Sequence, residues 1–219
     1  IHISLKCKNY AFVENLYKFI LVRKNSFIFE SVEKGKIRGR YTIIGFNPDK
    51  IFNIRKNKIV EDNFNKKKVI KKDVLRYLND LLKNFKVKSS KQLPRMSSML
   101  VGYFSYDIIR LIEKIPNKCK EDINIPDIRL IRPKNLIIYD NIKRKIFFIE
   151  NIFSDQKISD YQLEYEKIKN TLKELRHYGN IPLPSNFYRS NKKIDVKSNI
   201  TRSRFKNIVR KAKSYIKKG

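Results

Sequence analysis

Residues 27–48 read FIFESVEKGKIRGRYTIIGFNP. Aromatic and β-branched residues fill both ends of this segment, and a lysine–glycine pair ending at Gly35 separates them, a pattern typical of strands joined by a turn. Another turn is expected at Pro48, after which short apolar runs return. The segment and its continuation predict four short strands, at residues 26–32, 41–45, 51–54 and 58–60.

The rest of the chain mixes helical and strand-like apolar spacing. Helices are predicted at residues 10–20, 73–85, 107–114 and 159–178, and strands at residues 98–106, 136–139 and 146–150, the last two forming a hairpin. Asp107 and Thr201 are each expected to cap the helix that follows, Gly179 to cap the C-terminus of the long helix, and Gly102 to allow close backbone packing. Because strands and helices do not alternate as βαβ units, the pattern predicts an α+β fold with mostly antiparallel sheets and flanking helices.

Charge is the most conspicuous compositional feature. The 51 Lys+Arg residues against 21 Asp+Glu give a formal net charge of +30. The cations are spread along the chain. Lys, Ile and Asn, which A- and T-rich codons encode, are abundant, whereas the chain has 6 Gly and no Trp. This composition indicates that much of the charge reflects a gene rich in A and T. A nucleic-acid-binding protein concentrates its charge on one face. We therefore expect no specific nucleic-acid partner, and a basic nucleic-acid-binding module is kept as an alternative.

The sequence predicts a cytoplasmic protein without a membrane span. No stretch approaches 18 consecutive apolar residues. Lys6 and Lys8 interrupt what would be the apolar part of a signal peptide. Two cysteines, Cys7 and Cys119, are too few for a disulfide framework or a cysteine-based zinc site.

Standard catalytic motifs are missing from the sequence, including phosphate-binding glycine loops, zinc-binding helices and nucleophile elbows. His2 and His177 have no cysteine or second histidine nearby, and the carboxylates are scattered. Composition and spacing alone therefore predict no catalytic or metal-binding residue in this chain.

Three blocks of the chain resemble the component I family of anthranilate synthases. Residues 27–48 match its N-terminal signature, a Glu-Ser pair and then an Arg-Tyr strand ending in Gly and Pro, although the family has leucines where this chain has Ile28 and Phe29. Residues 101–117, VGYFSYDIIRLIEKIPN, resemble its second block. Residues 199–219 resemble the helix that opens its chorismate-binding domain.

The resemblance implies an organisation and an activity. Residues 1–180 would be the N-terminal regulatory domain of the anthranilate/aminodeoxychorismate synthase fold, residues 181–199 a linker, and residues 200–219 the first helix of a truncated chorismate-binding domain. The implied enzyme is a lyase of tryptophan biosynthesis that converts chorismate and ammonia into anthranilate and pyruvate. Its Mg²⁺ would be bound by the C-terminal domain that this chain lacks, and a glutamine amidotransferase subunit, component II, would supply the ammonia.

The same resemblance implies a feedback site for L-tryptophan at Phe29, Glu30 and Ser31. A carboxylate pairs with the ammonium group of an amino acid, a small hydroxyl hydrogen-bonds its polar end, and an aromatic ring offers an apolar wall to the indole. The rest of the site would lie beyond Gly219.

The alternative within the superfamily is the aminodeoxychorismate synthase component I of folate synthesis, because it shares the Glu-Ser region. The run from Asp107 to Glu113 favours the anthranilate branch. The alternative from another class, the nucleic-acid-binding module, predicts tight binding at physiological salt with a steep salt dependence.

Overall fold

The computed structural model describes residues 1–30, 39–85, 90–116, 123–156, 161–182 and 196–219. The chain divides into two units, Ile1–Leu183 and Pro184–Gly219. The first unit contains β1 (His2–Lys6), α1 (Ala11–Asn15), α2 (Tyr17–Leu21), β2 (Phe27–Phe29), β3 (Tyr41–Arg55), β4 (Lys58–Asp62), β5 (Lys67–Ile70), α3 (Val74–Asn84), β6 (Val101–Phe104), a 3-10 helix (Tyr106–Leu111), β7 (Ile128–Asp140), β8 (Lys145–Glu150) and α4 (Tyr161–Asn180), and the second contains α5 (Arg202–Lys218).

The two long strands β3 and β7 are antiparallel neighbours at the centre of an eight-stranded sheet. Their register shifts between Pro48 and Lys50, and Pro48 lies opposite Pro133. Proline has no N–H to donate, so two facing prolines interrupt the ladder locally. Asn47 adopts a positive φ of 48° beside them. The prediction of two strands separated by a turn is therefore wrong: the turn residues form an irregularity within a single strand.

This irregularity separates two halves of the sheet that share β3 and β7. The first half has the order β2-β3-β7-β8-β1, and the second has the order β5-β4-β3-β7-β6. Every pair is antiparallel. The predicted α+β class with mostly antiparallel strands is confirmed. The predicted hairpin also forms, but its first strand begins at Ile128 instead of residue 136.

Helices α1, α2 and α4 contact one another beside the first half of the sheet. Phe19 of α2 is fully buried, and its ring meets that of Phe46 of β3 edge-on at 5.2 Å. The helical spacing of α4 predicts an apolar face of Tyr161, Tyr165, Ile168, Leu172 and Leu175. The last three are buried, whereas Tyr161 and Tyr165 are 68% and 38% exposed. Gly179 does not cap this helix as predicted. It lies buried inside α4, where a Cβ atom would be 2.3 Å from the Phe12 ring.

The other side of the first half carries a separate core cluster. Its buried residues come from β3, β7 and β8 and are Ile43, Leu136, Ile138, Phe147 and Ile149. Three residues of the segment 93–99 pack against them, namely Leu93, Met96 and Met99. Helix α3 packs on the second half of the sheet through Val74 and Tyr77. Asp73 caps α3 by accepting a hydrogen bond from the backbone N–H of Arg76 at 2.9 Å.

Three further local predictions are corrected. The helix expected at residues 10–20 is two short helices, α1 and α2, with Leu16 between them. The strand expected at residues 98–106 shortens to β6, in which Val101 alone is buried. The helix expected to follow Asp107 is a 3-10 turn that starts at Tyr106, so Asp107 lies inside it and accepts a hydrogen bond from Arg110 instead of capping it.

The aromatics of the second block lie outside the core. Tyr103, Phe104 and Tyr106 are exposed by 39%, 51% and 89%. Gly102 behaves as predicted, because a Cβ atom there would lie 1.8 Å from the carbonyl oxygen of Arg129 on β7. Close approach of β6 to β7 therefore requires glycine at this position.

Helix α5 is the regular element of the second unit. Thr201 caps it, as predicted, by accepting a hydrogen bond from the N–H of Arg204 at 3.3 Å. The sequence of α5 combines an apolar stripe with many cations and no acidic residue in the first turn. The residues expected to form the linker, 181–199, lie largely outside the described residues.

Candidate functional site

The predicted effector residues lie at the end of β2. Phe29 is the last residue of the strand and pairs with Ile43 of β3, and Glu30 follows it directly. Ser31 lies outside the described residues. Successive side chains of an extended chain point to opposite faces. Phe29 and Glu30 are thereby directed to different sides of the sheet.

Phe29 lies on the side away from Thr42 of β3. Its ring centroid is 4.9 Å from that of Phe27, which packs against the core cluster around Ile43. The Phe27 ring fills the space above Gly45, where a Cβ atom would lie 2.1 Å from Cε1. Phe29 itself is 49% exposed.

Glu30 faces the helices instead. Its Oε1 accepts a hydrogen bond from the hydroxyl of Tyr10, the residue that precedes α1. The Tyr10 hydroxyl also lies 3.1 Å from Oγ1 of Thr42 and 3.4 Å from the hydroxyl of Tyr17. Glu30 is therefore bonded to a hydroxyl that itself contacts two more hydroxyls, and its carboxylate faces away from the side of the sheet that carries the Phe29 ring.

The two tyrosines of this cluster are protonated at physiological pH, and burial favours the protonated form further. Loss of solvent raises the pKa of Tyr10 above its ordinary value of 10.0, and the hydrogen bond to Glu30 raises it further. Burial also raises the pKa of Tyr17, with a smaller contribution from its hydrogen bond to Tyr10. Both hydroxyls are consequently neutral donors at physiological pH.

Sequence reasoning missed Tyr10, Tyr17 and Thr42. In the helix predicted over residues 10–20, Tyr10 is the first residue, and helical spacing places Tyr17 on the apolar face. No motif links these residues to Glu30, because the contact depends on how α1 and α2 lie on the sheet.

A second polar cluster lies at the irregularity between β3 and β7. Arg132 is 8% exposed and donates hydrogen bonds to Asp49 at 2.8 Å and to Asp155 at 3.0 Å. Lys50 also pairs with Asp155 at 2.5 Å. Burial opposes the charge of Arg132, but the hydrogen bonds to Asp49 and Asp155 outweigh it and raise the pKa. These ion pairs hold the two strands together where the backbone ladder is interrupted.

A cleft of about 380 Å³ adjoins this cluster, between α3 and the second half of the sheet. Its lining combines apolar side chains with Lys50, Lys72, Asp80 and Arg132. Lys50 and Arg132 pair with Asp155, and Lys72 pairs with Asp80. The cleft therefore presents cations that are already neutralised.

The described residues contain neither a cluster of metal ligands nor a helix that could span a membrane. Across the described ranges, no group of three or more His, Cys, Asp or Glu side chains is arranged to hold a metal ion. These residues thus do not fit the Mg²⁺ that the resemblance implies. Within the part of the chain that the structure describes, no helix is both long and apolar enough to cross a membrane.

Comparison with known proteins identifies relatives along most of the chain. Anthranilate synthase component 1 of Acetivibrio thermocellus is 31% identical over 198 residues, which are 88% of this chain and 40% of the relative. The protein of the same description from Aquifex aeolicus is 33% identical and also covers 88% of this chain, which spans 39% of the relative. The chain thus spans about two fifths of the length of these curated relatives.

A solved structure has the same fold. The crystal structure of anthranilate synthase component I from Streptococcus pneumoniae TIGR4 matches 93% of this chain and 43% of its own with a TM-score of 0.63, at 24% identity. Residues 24–219 match the family described as chorismate binding enzymes. That match covers most of the sequence, and this chain therefore belongs to the chorismate binding enzyme family.

Proposed function

We propose that this chain forms the N-terminal part of component I of an anthranilate synthase. The whole protein would be a cytoplasmic lyase of tryptophan biosynthesis that converts chorismate and ammonia into anthranilate and pyruvate. The similarity to proteins described as anthranilate synthase component 1 over 88% of the chain carries the proposal. It is a stronger argument than charge, which is distributed along the whole sequence.

The proposal divides the enzyme's functions between this chain and the rest of the protein. Since the chain spans about two fifths of the length of its curated relatives, we place the binding of chorismate and Mg²⁺ in the portion that it does not span. A glutamine amidotransferase subunit would deliver ammonia to that portion. This chain would then act as the scaffold and the regulatory part of the enzyme.

The regulatory role would be feedback inhibition by L-tryptophan at Phe29, Glu30 and Ser31. Glu30 supports this role because it is exposed, lies at a strand end, and accepts a hydrogen bond from the neutral Tyr10 hydroxyl. An ammonium group is the natural partner of such a carboxylate. Tryptophan would inhibit by favouring one arrangement of the regulatory and catalytic parts over another.

The reaction is tested with the full-length protein that contains this sequence. The purified protein is incubated with chorismate, Mg²⁺ and ammonium, and the product is identified by fluorescence and chromatography. Anthranilate is the expected product. Formation of 4-amino-4-deoxychorismate would instead assign the protein to folate synthesis, and no turnover of chorismate would refute the proposal.

The effector site is tested in the same assay with tryptophan added. Glu30→Gln is expected to raise the tryptophan concentration for half inhibition by about tenfold, because a charge-assisted hydrogen bond is lost. Ser31→Phe is expected to abolish inhibition and to spare basal turnover. Glu166→Gln, on the exposed side of α4, is the matched control. Unchanged inhibition in both site variants would refute the site.

A further inference from the structure

We propose that Tyr10 is a positioning residue of the effector site. Its hydroxyl holds the Glu30 carboxylate in the orientation in which that carboxylate receives the ammonium group of an amino-acid effector. This inference rests on the proposed function and adds to it a residue from outside the predicted Phe29–Ser31 segment.

The hydrogen-bond directions around Tyr10 follow from proton counting. A tyrosine hydroxyl has one proton to donate and two lone pairs to accept with. Its proton goes to Oε1 of Glu30. The Thr42 hydroxyl, at 3.1 Å, is therefore the donor in its contact with Tyr10, and the Tyr17 hydroxyl lies 3.4 Å from the same oxygen. Both are buried, so the Tyr10 oxygen is anchored from the interior side.

The rest of Tyr10 is anchored as well. Its ring lies 5.5 Å from the Tyr139 ring of β7, centroid to centroid. Its backbone carbonyl accepts hydrogen bonds from the N–H groups of Val13 at 2.8 Å and Glu14 at 3.2 Å, at the start of α1. The donor that meets Glu30 is consequently held by the sheet, by α1 and by two buried hydroxyls at once.

Glu30, by contrast, is an exposed glutamate at a strand end. A free side chain of this kind loses rotamer freedom when a ligand binds, and ordering it beforehand reduces that cost. A carboxylate accepts several hydrogen bonds on its two oxygens, so the bond from Tyr10 to Oε1 is compatible with an ammonium group at the second oxygen. Tyr10 would therefore favour effectors that carry an ammonium group.

The opposite role for Tyr10 makes a different prediction. If the Tyr10 hydroxyl competed with the ligand for Glu30, its removal would strengthen inhibition. If Tyr10 orients Glu30, its removal weakens inhibition. The sign of the effect therefore separates the two roles.

The experiment uses the full-length enzyme and measures half-inhibitory concentrations together with kcat and KM for chorismate. Tyr10→Phe is expected to raise the half-inhibitory concentration of tryptophan about five- to tenfold, with kcat and KM unchanged. The double variant Tyr10→Phe, Glu30→Gln should have the same half-inhibitory concentration as Glu30→Gln alone, because the two changes disrupt the same interaction. Tyr161→Phe, at an exposed position of α4, is the matched control.

Analogues of tryptophan test the chemistry of the contact. Tryptamine keeps the ammonium group and lacks the carboxylate, whereas indole-3-propionate keeps the carboxylate and lacks the ammonium group. Tyr10→Phe is expected to weaken inhibition by tryptamine and to leave inhibition by indole-3-propionate unchanged. If Tyr10→Phe does not fold, Thr42→Val removes a donor to the Tyr10 oxygen and is expected to shift tryptophan inhibition in the same direction by about two- to threefold.

Three results would overturn the role of Tyr10 alone: inhibition of Tyr10→Phe equal to wild type, stronger inhibition, or effects that add to those of Glu30→Gln. A wild-type enzyme that makes anthranilate but ignores tryptophan would overturn both the effector site and the role of Tyr10. A protein that does not make anthranilate would refute the proposed function itself.

Discussion

Asp140 is expected to be a major contributor to the stability of the first unit. Its side chain is 2% exposed and receives hydrogen bonds from Arg40, with Nη2 at 2.7 Å from Oδ2 and Nε at 3.1 Å from Oδ1. Its Oδ1 also accepts the backbone N–H groups of Ile142 at 3.1 Å and Lys143 at 3.0 Å. The carboxylate thus joins Arg40, the residue before β3, to the turn between β7 and β8.

The substitution Asp140→Asn keeps a side-chain oxygen for the two backbone donors and removes the charge that faces Arg40. Removing one partner of a fully buried ion pair costs about 3–5 kcal/mol. The Arg40 side chain is 33% exposed, so water hydrates the unpaired guanidinium in part. We expect Asp140→Asn to lower the free energy of unfolding by about 2 kcal/mol.

Urea unfolding followed by far-UV circular dichroism measures this loss, since the chain has no tryptophan to report by fluorescence. A loss of 2 kcal/mol corresponds to a midpoint lowered by about 1 M urea. Asp107→Asn is the matched control, because that carboxylate is 61% exposed and pairs with Arg110 one turn away. The control is expected to lose no more than about 0.5 kcal/mol.

The pH dependence tests the same reasoning independently. Burial opposes ionisation of Asp140, but the Arg40 hydrogen bonds and the two backbone donors outweigh it and hold the pKa below the ordinary 3.8. A lowered pKa contributes stability above the pKa of the unfolded chain, and this contribution is lost as pH falls through the folded-state value. The difference in unfolding free energy between wild type and Asp140→Asn should be constant near neutral pH and should shrink below about pH 4. A loss equal to that of the control, or a difference that persists in strong acid, would refute the reasoning.

Three further predictions concern packing and charge. Gly102→Ala should destabilise the chain by about 3 kcal/mol or more, because its Cβ would overlap the Arg129 carbonyl at 1.8 Å; an unchanged urea midpoint would contradict this close approach. Leu175→Ala removes a side chain that is 1% exposed and should cost about 3 kcal/mol, whereas Leu163→Ala, at 51% exposure, should cost about 0.5 kcal/mol or less. Binding to an oligonucleotide, followed by fluorescence anisotropy, should be micromolar or weaker and vanish by about 200 mM salt; nanomolar affinity at that salt would favour the nucleic-acid-binding alternative.

Local patterns in the sequence were reliable where neighbours in the chain supply the interactions. Thr201 caps its helix as predicted, because the N–H it accepts lies three residues away. The apolar spacing of α4 identified its buried face through Leu172 and Leu175. Gly102 was also correctly linked to close packing, although its partner is Arg129 of β7, because a glycine inside a strand often marks the close approach of another backbone.

Local patterns failed where a distant strand changes the outcome. Pro48 in a polar context is typical of a turn, but it lies in the middle of β3, opposite Pro133. Gly179 resembles a C-cap by position, but the Phe12 ring occupies the space where its Cβ would be. In each case the decisive partner is more than 80 residues away, so no window of sequence contains it.

In the candidate site, too, local sequence was informative and contacts between distant segments were not predictable from it. The blocks around Glu30 were enough to suggest the family, which the match over residues 24–219 establishes. They were not enough to show that Glu30 and the Phe29 ring face opposite sides of the sheet.

The sequence by itself therefore determined the fold class, the hairpin and the family resemblance, because these depend on periodicity and on short blocks that can be read in order. The tertiary structure alone decided the continuous β3 and β7 strands and the contact between Tyr10 and Glu30. The physical reason is that both depend on pairing and packing between segments brought together by the sheet. Hydrophobic patterning places a residue on a face, and the packing of α1 and α2 against β3 selects which hydroxyl reaches which carboxylate.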